Sequence, residues 1–128
     1  MDKIKLSIDD SKAKAFLVGI AKKRETIDYE RLCKEHYKEL NYGQRQGQRA
    51  LWDSLTRIIE FENSEDRPLL SVIVILEKGK IPGSGFFTKA LKMGRYRGGE
   101  TEEQQRGFYE EECENVYKYW EHKSYNIH

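Results

Sequence analysis

The stretch RPLLSVIVILEKGKIPGSGFFTKAL, Arg67 to Leu91, decides how the chain is read. Its first half, LLSVIVIL, is rich in β-branched residues, which pack well on a pleated surface, and predicts a strand. Lys78-Gly79-Lys80 turns that strand back, with a short hairpin partner around Ile81. Phe86 to Met93 predicts a brief helix, anchored on the core by Phe86 and Phe87 and stopped by Gly94. Pro82-Gly83-Ser84-Gly85 stands between the two. A phosphate-binding loop needs backbone N–H groups at a helix start aimed at the anion, and Gly83-Ser84-Gly85 could supply them. Neither the P-loop spacing nor the dinucleotide Gly-x-Gly-x-x-Gly is present, because position 88 is Thr88. A structural turn and an anion contact both remain open readings of this loop.

Upstream, three segments show helical spacing. Ala13, Phe16, Leu17, Ile20 and Ala21 mark a first helix, with Asp9, Asp10 or Ser11 as its cap and Lys22, Lys23 and Arg24 at its negative end. Residues 2–8 before it alternate polar and apolar and suggest a short edge strand. Asp28 caps a second helix with Leu32, Cys33, His36, Tyr37 and Leu40 on one stripe, ending near Asn41. A third carries Leu51, Trp52, Leu55, Ile58 and Ile59 inward. Downstream, Thr101-Glu102-Glu103-Gln104 is a capping box that opens a long final helix, packed through Tyr109, Cys113, Val116, Tyr117 and Trp120. Three helices followed by a hairpin is the order of a winged helix. The expected fold is therefore α+β, winged-helix-like, with three helices, a β-hairpin wing and an appended long C-terminal helix. It forms one domain over residues 1–128, with the winged-helix-like core at 1–94 and the last helix at 101–122.

The 128 residues suit one domain, and two Trp, eight Tyr and five Phe argue against disorder. No apolar run reaches the roughly 18 residues needed to cross a bilayer. MDKIKLSIDD lacks a signal-peptide core. Cys33 and Cys113 are too few for a disulfide framework, so a reducing cytoplasm is expected. His36, His122 and His128 show no metal-ligand spacing with either cysteine, and no cofactor pattern is present. His36 falls on an apolar stripe, neither cysteine has an activating partner in sequence, and Glu111 and Glu112 read as part of a solvated helix face. A binding protein is expected rather than an enzyme.

The net charge of +1 conceals two blocks. Lys78 to Gly99 holds Lys78, Lys80, Lys89, Lys92, Arg95 and Arg97 and no acid, whereas Glu100 to Glu114 holds seven acids against Arg106. The blocks either neutralise one another or leave the basic one facing a polyanion. Gly43-Gln44-Arg45-Gln46-Gly47-Gln48-Arg49 opens the third helix with arginine, which opposes the helix dipole at a cost of up to about 1 kcal/mol. Arg reads guanine or phosphate and Gln pairs with adenine edges, and the first residues of a recognition helix are those that reach bases. The candidate nucleic-acid contacts are Arg45, Gln48 and Arg49 on that helix, with Lys78, Lys80, Lys89 and Lys92 around the wing.

Arg67-Pro68-Leu69-Leu70-Ser71, Lys78-Gly79 and Ile81-Pro82-Gly83-Ser84-Gly85-Phe86-Phe87 together resemble a signature of small bacterial and phage-borne proteins. Val116-Tyr117-Lys118-Tyr119-Trp120 is similar to their final helix. The resemblance covers about the last two-thirds of the chain and implies a defence or mobile-element setting, with no particular chemistry. A weaker likeness is to the winged-helix DNA-binding domain of alkylguanine-DNA alkyltransferases and alkyltransferase-like proteins. It rests on Thr26-Ile27-Asp28-Tyr29, Arg49-Ala50-Leu51 and the Lys78–Gly85 turn. The catalytic Pro-Cys-His-Arg of that family has no counterpart, which removes alkyl transfer. The expected function is nucleic-acid binding, with duplex DNA as the first partner. The alternative is a protein-interaction module (adaptor, inhibitor or immunity-type protein) that uses the acidic last helix and Tyr96, Tyr119 and Tyr125.

Overall fold

A computed structural model describes residues 4–77, 79–99 and 101–123. Its elements run α1 (Ile8–Lys22), β1 (Ile27–Asp28), α2 (Tyr29–Glu35), α3 (Arg45–Ser64), a 3-10 turn (Leu70–Ile73), β2 (Val74–Ile75), α4 (Ser84–Lys92) and α5 (Glu102–Trp120). Local signals set most boundaries. Asp28 caps α2 by accepting from the Arg31 N–H at 2.7 Å. The Thr101–Gln104 capping box opens α5 in both directions. The first cap is Ser7, which accepts from the Asp10 N–H at 3.1 Å, and not Asp9, Asp10 or Ser11. Such a cap contributes about 1 kcal/mol. Residues 4–7 form no strand, so no edge strand is seen in the described part of residues 2–8. Gly94, at φ 75°, follows α4 as its stop.

The winged-helix expectation is overturned at the stretch that carried it. Leu69 to Ile75 lie at the centre of the molecule, each between 0% and 3% exposed. Helices α1, α3 and α5 all pack against the 3-10 turn. A strand there would need a neighbouring strand to take its backbone groups, and helices offer none. The segment therefore satisfies itself locally: the Val72 N–H donates to Leu69 O at 3.0 Å, and the Val74 N–H donates to Ser71 O. The Leu69 N–H, left over by that winding, donates to the Glu112 carboxylate at 2.7 Å. Only Val74 and Ile75 pair as a strand, in parallel with Ile27 and Asp28. Leu76 N–H to Ile81 O, at 3.1 Å, closes the following turn, but residues 79–83 form no strand and there is no β-hairpin wing among the described residues. β-branched composition was a true signal of burial and a false one of conformation.

Two other expectations fall with the wing. α2 ends at Glu35, and residues 36–44 separate it from α3, so the pair is no tight helix-turn-helix. α5 is not appended: Cys113, Val116 and Trp120 belong to the single core with Leu17, Leu55, Ile59 and Val72. Phe86 and Phe87 do anchor α4, through Tyr96 and Phe108, with ring centroids 4.9–6.3 Å apart. Charge is also buried. The Glu62 side chain has no solvent exposure and sits 3.3 Å from Lys14 Nζ and 2.7 Å from Arg67 Nη2, with Lys14 over the Phe61 and Trp120 rings. Burial pushes the Lys14 ammonium below its ordinary pKa, against the pull of Glu62.

Candidate functional site

The two segments marked in the sequence, 43–49 and 82–85, meet in space. α4 touches α3 through side chains, with Gly85 against Trp52 and Lys89 against Glu60. At the start of the pair opens a cleft of about 290 Å³. Tyr29, Tyr42 and Trp52 wall it, Leu51 and Phe86 contribute apolar surface, and Gln48 and the Gly83–Gly85 backbone supply polar groups.

Each wall is held by a separate device. A β-carbon on Gly47 would stand 2.0 Å from Asn41 O, so only glycine lets the chain before α3 fold down on the helix. That contact sets Tyr42 beside Gln48, whose Nε2 donates to Tyr42 O at 2.8 Å. On the other side a β-carbon at Gly85 would reach Trp52 Cζ2 at 3.0 Å, so the bare backbone of α4 lets the indole lie against it. Tyr29, the first residue of α2, accepts from the Gly83 N–H through its hydroxyl at 3.2 Å. Burial raises the Tyr29 pKa and keeps that hydroxyl neutral.

The electrostatics of the cleft are unlike those of the other helix starts. α1, α2 and α5 begin with side-chain caps and with acids in the first turn: Asp9 and Asp10, Glu30, and Glu102 and Glu103. α3 and α4 have neither, with Gln44 and Gly83 as uncapped N-cap residues. Arg45 and Arg49 lie on exposed positions of α3 and carry no salt bridge among the described residues. Spacings of three and four residues put Arg45 next to Gln48, and both Gln48 and Arg49 next to Trp52, so the arginines stand about one helical turn from residues that line the cleft, without lining it themselves. The uncapped helix starts and the two exposed guanidinium groups bring positive charge to this end of the molecule, while the charges of Glu30 and Asp28 reach the Tyr42 wall.

The other expected contacts divide. Lys80 is exposed three residues before Gly83, at the edge of the same loop. Lys89 is only half exposed and pairs with Glu60 at 3.2 Å, which makes it part of the α3–α4 packing. Lys92 is exposed at the far end of α4, about 12 Å from Ser84 at 1.5 Å per residue. Lys78 lies outside the described residues. The basic and acidic blocks do not cancel: among the described residues only Arg95 bridges them, 3.9 Å from Glu112. Glu112 is buried rather than part of a solvated face, whereas Glu110 and Glu111 are exposed. Of the aromatics proposed as a protein surface, Tyr96 is buried, Tyr119 is half buried against Trp120, and Tyr125 lies outside the described residues.

The sequence reading missed Tyr29, Tyr42 and Trp52 as a group. Helical spacing puts Trp52 on the buried face of α3, and nothing in the spacing marks Tyr42. One signal was available: Trp52 follows Gln48 by four residues, on the same face.

Neither His36 nor the two cysteines are activated by their surroundings. His36 packs on Phe16 at 5.1 Å, and burial lowers its pKa. Burial raises the Cys33 thiol pKa and pushes that of Cys113 up to about 12, far from the thiolate a nucleophile needs. No group of His, Cys, Asp and Glu among the described residues could hold a metal ion, and no helix there is long and apolar enough to cross a membrane. Neither a protein-family model, nor a curated protein, nor a solved structure matches this chain, so the chemistry of the cleft itself carries the functional reading.

Proposed function

We propose that this protein binds nucleic acid, without a chemical step, through the start of α3 and the cleft beside it. The observation that carries the reading is an aromatic-walled cleft between two helices with uncapped starts, with the exposed Arg45 and Arg49, unpaired among the described residues, about one helical turn from its lining residues Gln48 and Trp52. Arginine at a helix start weakens the helix, and an exposed arginine without a carboxylate does nothing to restore it. Phosphate is the partner that would use both the guanidinium groups and the uncapped helix starts. Lys80 extends the same edge. A helix and a wing do not read a duplex here, because no wing forms among the described residues.

The test is fluorescence anisotropy with labelled DNA and RNA at about 50 and 200 mM salt. Binding should weaken steeply with salt. Arg45→Ala and Arg49→Ala should each reduce affinity for all sequences alike and lower the salt slope by about 1. Absence of binding at the lower salt would overturn the reading. The exposed Glu110 and Glu111 of α5 would then be the place to seek a protein partner, by reversing their charge.

A further inference from the structure

Resting on that reading, we infer that the cleft is a pocket for one unpaired base, so that the ligand is a single strand and not a duplex. The size is the first ground. About 290 Å³ lies at the lower end of small-molecule sites and admits one ring system, whereas a stacked base pair presents only its edge. The walls are the second. Tyr42 and Trp52 offer aromatic faces, and bases of single strands stack on such faces without regard to sequence.

The polar groups are the third ground. Gln48 Nε2 is committed to Tyr42 O, which fixes the amide and leaves Oε1 as an acceptor. The Tyr29 hydroxyl accepts from Gly83 N–H and keeps its own proton to donate. One acceptor and one donor suit the edge of every nucleobase, since each carries both kinds of group. The cleft should therefore require a base without choosing strongly among bases. Arg45 and Arg49, exposed about one helical turn from the lining residues Gln48 and Trp52, would complement the phosphates on either side of the inserted nucleotide. Charge complementarity near the cleft and an aromatic interior together fit a strand, where an apolar peptide would leave the arginines without a role.

The experiment uses the full chain and a labelled single strand of about 12 nucleotides, within the usual site size of such proteins. It is compared with its duplex, with an abasic strand of equal charge, and with a mononucleotide. The single strand should bind roughly tenfold tighter than the duplex or the abasic strand, and Trp52→Ala should remove that advantage while Trp52→Phe keeps most of it. Gln48→Ala, at an exposed position, should weaken the single strand and leave the duplex unchanged. Indole emission of the unaltered protein gives a readout that needs no variant. Trp120 is buried, so quenching by the single strand reports Trp52. Equal, salt-sensitive binding of all three polymers without quenching would overturn base insertion and leave the arginine contact standing. A mononucleotide that binds as tightly as the strand would overturn the strand as ligand. No binding of any polymer would overturn both readings.

Discussion

The two ends of α3 use charge in opposite ways. At its C-terminal half, Glu62 is sealed from solvent and held by Lys14 and Arg67, with Phe61 and Trp120 around the cations. At its start, Arg45 and Arg49 face solvent, unpaired, on a helix with no cap and no acid in its first turn. The first arrangement is closed: each charge answers another inside the fold. The second is open, and its charges cost the folded chain stability with no internal return. One helix thus carries both charges that serve the fold and charges that do not.

The largest effect should come from opening the closed end. Glu62→Gln removes the buried carboxylate 3.3 Å from Lys14 and 2.7 Å from Arg67 and should destabilise by about 3–5 kcal/mol in urea unfolding. Lys14→Met, Glu62→Leu and Arg67→Met together should recover most of that loss, because apolar side chains of similar volume avoid the desolvation of all three ions. If Glu62→Gln melts like the unaltered protein, the closed end is not the stabilising network described.

Gly47→Ala sits between the two ends in size. Its β-carbon would press on the Asn41 carbonyl, a backbone atom that cannot turn aside, so a loss of about 1–3 kcal/mol is expected. The same change should weaken nucleic-acid binding by displacing Tyr42. Thermal unfolding and anisotropy on one preparation would show whether the two losses travel together.

Arg45→Glu sharpens the comparison most, because stability and function should move in opposite directions. An acid in the first turn suits the helix dipole, and unfolding should become harder by roughly 0.3–1 kcal/mol. Binding of nucleic acid should disappear. A loss of stability in that variant would mean that the arginine has an internal role.

The smallest expected effect is a change in the shape of the pH profile. Burial raises the Asp10 pKa, but hydrogen bonds from Arg57 at 2.6 Å and Ser54 at 2.7 Å outweigh it and hold the carboxyl below its ordinary value of 3.8. A depressed folded value means that Asp10 stabilises the fold above the ordinary pKa, and that this contribution is lost as the pH falls through the folded value. Asp10→Asn should flatten the acid limb of a stability–pH curve and leave the arginines near the cleft unaffected.

What could be read in the sequence follows the range of the interactions involved. The helical spacing behind α1, α3 and α5, the Asp28 cap, the Thr101 capping box, the Gly94 stop and the Phe86–Phe87 anchor were all legible. Each depends on residues within about one helical turn, so the chain carries the signal locally. Arg45, Gln48 and Arg49 were legible as a candidate site for the same reason: arginine at a helix start is a local anomaly. Segment 69–75 was not. Whether a β-branched run becomes a strand or winds into a 3-10 turn depends on which backbone stands beside it, and here three helices do. The burial of Lys14, Glu62 and Glu112 was equally illegible, since a charged residue is read as exposed until its distant partners are known. The cleft belongs to this second class. Tyr29, Tyr42, Trp52 and the Gly83–Gly85 loop come together only because Gly47 and Gly85 allow backbone and ring to approach closely. The sequence by itself determined the helices and the unusual start of α3. Tertiary packing alone decided that no wing forms among the described residues, and that an aromatic cleft opens near the exposed arginines.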